Sequence, residues 1–179
     1  RIYRKDGSVG WVVDHGLLFE ADNEKPLRII GTTTDITERK EAEIELQKSE
    51  EKFRNVFEGS GIGMAILGLD GQFTKVNTVF CEMLGYTEQE LITVNFRNVT
   101  HPGDIEKSIG LVKDLLKSET RESSLVEKRY LTKKKEIIWA LTTVSLLTDF
   151  EGKALYFIVQ VQDITKRKRN EEQLIKYAE

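Results

Sequence analysis

Two tryptophans fix the organisation of this chain. Trp11 and Trp139 stand 139 − 11 = 128 positions apart, and the residues around both repeat at that offset. Laying residues 1–46 on residues 129–174 without a gap gives 14 identities, where average residue usage predicts about three. They include Asp35-Ile36-Thr37 on Asp163-Ile164-Thr165, and Arg39-Lys40 on Arg167-Lys168. One structural unit is therefore used twice, and whatever fold serves the later copy must serve the earlier. Because residue 1 already corresponds to residue 129, residues 1–36 are expected to be the closing hairpin of a preceding module. A helical linker at 37–52, one whole module at 53–164 and the start of an exit helix at 165–179 follow from the same alignment.

The later copy shows three runs rich in β-branched and aromatic residues, 125–131, 137–147 and 154–164, separated by turn residues. Upstream, 63–69 and 72–76 flank Asp70-Gly71, a strong hairpin signal. Five antiparallel strands are predicted. Between the upstream pair and the final three the apolar period becomes helical. Asn77 is placed to cap a short helix over 78–84 that Gly85 ends, and Thr87 with Glu90 forms a capping box for a second. A third helix follows Pro102, with Ile105, Ile109, Val112, Leu115 and Leu116 along one face. Helices segregated from an antiparallel sheet make the class α+β.

Both copies end in a polar helical stretch. In the first, Ala42, Leu46, Ser49, Phe53 and Val56 fall at spacings of 4, 3, 4 and 3, the seam of a coiled coil, so pairing with a second copy of the chain is expected. Charge argues against a nucleic-acid partner: 27 Lys+Arg against 30 Asp+Glu is no polyanion-binding balance. The basic runs 133–135 and 166–169 are short and read as solvated turns and helix faces. No apolar run reaches the roughly 18 residues of a membrane span, so no membrane contact and a cytoplasmic location are expected. One cysteine, Cys81, and two histidines, His15 and His101, supply no disulfide, no zinc site of His/Cys type and no catalytic triad.

The stretches "NTVFCEMLGYTEQEL", "THPGDI", "EKRYLTKKKEIIW" and "GKALYFIVQVQDITKRK" resemble the motifs of a PAS sensory domain. Residues 53–164 match it in full, and residues 1–36 resemble the PAC hairpin that closes such a domain. The resemblance implies a five-stranded antiparallel sheet with helices over one face and a small pocket between them. It further implies helical linkers to an effector in the same parent chain, such as a histidine kinase or diguanylate cyclase, the present segment being regulatory and not an enzyme. In this family the Asp-x-Thr motif is associated with signal transfer, a role that falls on Asp35, Thr37, Asp163 and Thr165. There Thr165 can cap orphan helix amides and Asp163 can hold a cation.

Met64, Ile66, Phe80, Leu84, Phe96, Ile109, Leu141 and Val159 are the pocket candidates. The sheet needs an apolar face whether or not a ligand enters, so ordinary core packing competes for each. A ligand, if bound, is expected to be a small apolar or weakly polar metabolite. No cofactor is expected. His101 before Pro102 resembles the helix start of haem-free members, and the stretch 95–99 lacks the cysteine of the light-oxygen-voltage branch, whose glutamine position is Val161. Three functions are open: a sensor that relays occupancy or dimer rearrangement through its helices, a ligand-free repeat that serves as a dimerising spacer and, against these residues, a haem- or flavin-binding sensor.

Overall fold

The computed structural model describes residues 1–19, 28–118 and 123–178, the side chains of 18, 19, 28, 29 and 176–178 excepted. Residues 20–27 of the expected first hairpin and Glu179 of the exit helix lie outside the described residues. The chain divides into two compact units, Arg1–Arg54 and Asn55–Glu179.

In the first unit, β1 (Ile2–Tyr3) pairs with β2 (Val9–Gly10), and β3 (Val12–Phe19) pairs with β4 (Arg28–Asp35), both antiparallel. Helix α1 (Thr37–Glu58) begins two residues later and runs across the boundary of the two units. In the second unit, β5 (Gly63–Leu67) and β6 (Phe73–Val76) form the hairpin whose loop carries Gly71 at φ +82°. Next come α2 (Thr78–Leu84), α3 (Glu88–Leu91), α4 (Phe96–Val99) and, after a 3-10 turn at Pro102–Asp104, α5 (Ile105–Lys117). Strands β7 (Ser124–Leu131), β8 (Ile137–Thr148) and β9 (Ala154–Asp163) complete an antiparallel sheet of order β6-β5-β9-β8-β7, and α6 (Thr165–Ala178) leaves it. This is the α+β architecture that the pattern predicts.

Local chemistry forms these elements as expected. Asn77 caps α2 by accepting from the Phe80 amide at 2.9 Å, Gly85 ends it at φ +74°, and Thr87 with Glu90 closes a reciprocal capping box on α3. Helix α4 was not predicted; it has only four residues, opened by a second capping box between Asn95 and Asn98. Asn77 does more than cap. Fully buried, its Nδ2 donates to the Phe57 and Ile62 carbonyls at 2.9 Å each, and its Oδ1 also accepts from the Met64 amide at 2.8 Å. It thereby binds the end of α1, the start of β5 and the start of α2 through one side chain. The core lies between the sheet and the helices, with Phe80 at its centre in ring contact with Phe73 and Tyr130.

The sequence repeat is also a repeat of register. Leu18 faces Ile29 as Leu146 faces Phe157, and Val12 faces Asp35 as Ala140 faces Asp163, each shifted by 128. The β1-β2 turn closes through Arg4 N to Ser8 O and Gly7 N to Arg4 O, and its counterpart through Thr132 N to Glu136 O and Lys135 N to Thr132 O. Where Gly7 takes φ +82°, Lys135 takes φ +66°, a left-handed conformation that Cβ disfavours.

Candidate functional site

Beneath the helices the second unit encloses a cavity of about 210 Å³, lined by the inner face of the sheet, by α5 and by the β5-β6 loop. A cavity of about 150 Å³ with aliphatic and aromatic walls accepts benzene, so this one has room for a ring and a small substituent. The α5 stripe predicted from its spacing supplies Ile109, Val112 and Leu116, and β9 supplies Phe157 and Val159.

Of the eight pocket candidates, Phe80, Phe96, Ile109 and Val159 line the cavity, and Met64, Ile66, Leu84 and Leu141 do not. Leu84 is fully buried in the core away from it. The other three fail on strand parity. On β5 the buried residues are Gly63, Ala65 and Leu67, so Met64 and Ile66 point to the opposite face. On β8 Ala140, Thr142 and Val144 face the core, which turns Leu141 outward. Both alternations on these strands carry apolar residues, so the period of two identified the strand without identifying its inner face.

Among the lining residues that sequence reasoning missed, Lys128 is the charged one on the sheet. It stands between Val126 and Tyr130 on the buried face of β7, and only 6% of it is exposed. The signal was available: Val126 and Tyr130 at i−2 and i+2 place Lys128 on their face. Its Nζ approaches Thr100 Oγ1 at 3.5 Å and Ser108 Oγ at 3.4 Å, and lies 4.6 Å from the Tyr130 ring centroid. Beside it, Asp104 accepts from the Arg129 amide at 2.8 Å and takes its guanidinium in two bonds of 2.9 Å, fastening the start of α5 to β7. Those bonds hold the Asp104 carboxyl down at about 2, below its ordinary 3.8, against the opposing effect of burial.

His101 is outside this lining; it caps the 3-10 turn, its Nδ1 accepting from the Gly103 amide at 3.1 Å. His15 is exposed on β3. Cys81 is half-buried on α2, and burial, then the charges of Glu88, Glu58 and Glu82, push its thiol up. Among the described residues no group of three or more His, Cys, Asp or Glu is placed to hold a metal, and no helix is long and apolar enough to cross a membrane.

The strand-to-helix junctions are built alike. Thr37 Oγ1 accepts from the Trp11 amide at 2.9 Å and Thr165 Oγ1 from the Trp139 amide at 3.0 Å. The next ladder bond, Ile36 N to Trp11 O or Ile164 N to Trp139 O, is 2.8 Å in both. Asp35 Oδ1 and Asp163 Oδ1 accept from the amides of Thr37 and Thr165 at 2.9 and 2.7 Å. The expected roles are thus exchanged: the aspartate takes the orphan helix amide, and the threonine hydroxyl reaches across to the neighbouring strand. The expected cation on Asp163 is also corrected. Asp35 pairs with Arg4 at 2.7 Å, and hydrogen bonds from Thr37, then from Arg4, hold its carboxyl down at about 2. The counterpart of Arg4 is Thr132, which carries no charge. In the second unit α6 is held instead by Glu127 of β7, which pairs with Arg167 and with Lys168, the latter at 2.7 Å. Of the seam residues, Ala42, Leu46, Phe53 and Val56 are all exposed on α1.

An antiparallel sheet that roofs a small cavity with helices and hands its last strand to an exit helix defines a pocket-bearing α+β domain. The family follows from comparison: a PAS domain model matches residues 61–166, and the chain belongs to the PAS domain family. It is 40% identical over 127 residues to the probable diguanylate cyclase DgcE of Escherichia coli (strain K12), covering 71% of this chain and 11% of that protein. It is 29% identical over 134 residues to the sensor histidine kinase TmoS of Ectopseudomonas mendocina, covering 75% of this chain and 14% of that protein. The chain therefore spans a small part of the length of these relatives. Among solved structures, the PAS domain of an HTR-like protein from Haloarcula marismortui superposes with a TM-score of 0.59 at 22% identity, covering 70% of this chain and 99% of that one.

Proposed function

We propose that this chain is a sensory segment of a multidomain signalling protein, in which occupancy of the cavity alters the set of the exit helix. The observation that carries the reading is the position of β9. Phe157 and Val159 of that strand line the cavity, and six residues after Val159 comes Thr165, where α6 begins. A change of packing at the cavity therefore reaches the exit helix through one continuous strand hydrogen-bonded on both edges.

Residues 1–36 are then the closing hairpin of a preceding PAS domain, 37–52 a linker, 53–164 the sensing domain and 165–179 the start of the output helix. The relatives' names, a diguanylate cyclase and a sensor histidine kinase, support an effector in the same parent chain; in this reading the segment itself is regulatory and non-enzymatic, carries no cofactor of its own and works in the cytoplasm. A dimer through α1 is supported by the exposure of Leu46 and Val56, 62% and 63%, at the spacing of a coiled-coil seam. The same exposed seam favours the second reading, a ligand-free dimerising spacer. Native mass spectrometry of the chain purified from its host separates the two. A retained small molecule supports sensing, and repeated empty spectra support the spacer. Sedimentation showing monomer alone at high concentration removes the dimer from both.

A further inference from the structure

Lys128 is a cation placed where a ligand would meet it. It is more than nine-tenths buried, it lines the cavity, and no ion pair among the described residues includes it. An ammonium has three donors, and its two hydroxyl contacts, at 3.4 and 3.5 Å, are longer than a normal N–H···O bond. Both hydroxyls are already committed as donors. Ser108 Oγ donates to the Asp104 carbonyl and Thr100 Oγ1 to the Phe96 carbonyl, each at 2.9 Å, so each presents only lone pairs to the lysine. Burying an unpaired charge is costly, and among the described residues no carboxylate pairs with it.

We infer, resting on the sensing reading above, that the cavity takes a compact monocarboxylate, its apolar body between α5 and the sheet and its carboxylate on the Lys128 ammonium. The size of the space, about 210 Å³, suits a molecule of benzoate or hexanoate dimensions. One buried cation among aliphatic and aromatic walls matches a single negative charge and not a phosphate, which requires several converging donors. At the rim Arg97 and Lys113 stand against the single carboxylate of Asp70, a balance that draws anions inward.

The test is calorimetric titration of the whole 179-residue chain, stripped by unfolding and refolding, with benzoate, hexanoate, benzyl alcohol and inorganic phosphate. Benzoate or hexanoate should bind at least ten-fold tighter than benzyl alcohol. Lys128→Met should abolish that preference while holding benzyl alcohol within about three-fold, and its thermal midpoint should be unchanged or raised. Should that variant fail to fold, Lys128→Gln, which keeps a donor for the two hydroxyls and removes the charge, should lose the same preference. Equal affinity for benzoate and benzyl alcohol, or tighter binding of phosphate than of either carboxylate, overturns the monocarboxylate and leaves the sensing reading standing. If no probe binds, the monocarboxylate falls, and the sensing reading is decided by the native mass spectra.

Discussion

Replacing Thr165 by valine removes one oxygen and keeps the β-branched shape, which makes it a clean probe of the joint between sheet and exit helix. The hydroxyl accepts the Trp139 amide at 3.0 Å in a half-buried position. Without it that amide has no protein acceptor, and an unsatisfied buried donor costs about 1–2 kcal/mol. Helix propensity hardly changes, because valine and threonine rank together. For a unit of this size the loss corresponds to a fall in midpoint of roughly 3–8 °C. Hydrogen exchange resolved at the Trp139 amide is the sharper assay, since it reads the joint itself. Exchange should rise about ten-fold for each 1.4 kcal/mol lost, whereas the Leu146 amide, farther along β8 and away from the joint, should move only with global stability. Thr165→Ser should restore protection. If valine leaves both the midpoint and the Trp139 amide unchanged, the hydroxyl does not join helix to strand and the proposed coupling has lost its physical basis.

Asn77→Ala removes four hydrogen bonds of 2.8–2.9 Å from a buried site and should cost about 3–5 kcal/mol in denaturant unfolding; a loss under 1 kcal/mol would show that water or a local shift replaces them. Lys135→Gly relieves the left-handed backbone that Gly7 accepts in the other copy, so stability should rise by about 0.5–1 kcal/mol, and a decrease would contradict the turn geometry. Asp104 titrates at about 2 instead of its ordinary 3.8. Its folded form is therefore the better acid, its contribution is complete above pH 4, and it is lost as pH falls from about 4 to 2. On the order of 1–2 kcal/mol should disappear over that window after allowance for solvent screening, and Asp104→Asn should flatten this part of the pH-stability curve.

What was legible in the sequence was local or periodic. Asn77, Gly85 and the Thr87-Glu90 pair signal their own caps because the partner amides lie within a turn of them. Asp70-Gly71 marks its hairpin for the same reason. The repeat at 128 positions was legible as well, and the structure carries it into the register of β3 on β4 and of β8 on β9. Strand faces were less legible. Met64-Ile66 and Ala65-Leu67 are both apolar alternations, and only the packing of α2 and α5 on one side of the sheet decides between them. Lys128 was hidden by its charge: a lysine in an alternating strand is ordinarily assigned to solvent, and parity with Val126 and Tyr130 had to outrank that expectation. Helix α4 escaped because four residues are too few to show a helical period.

The differences between the copies separate what the joint requires from what merely supports it. Threonine to tryptophan amide, isoleucine to tryptophan carbonyl, and aspartate to threonine amide occur in both, at distances that agree within about 0.2 Å. The ion pairs do not agree: Arg4 on Asp35 in one copy, Arg167 and Lys168 on Glu127 in the other. These pairs are largely exposed, and such pairs contribute little to stability and are screened by salt. The short hydrogen bonds therefore define the joint, and the charges adjust it. In the second copy the charges tie α6 to β7, the strand that also carries Lys128. If the proposed monocarboxylate binds Lys128, it acts on the strand bonded to the exit helix through Glu127, one residue away, and the proposed relay would then have a second route beside β9.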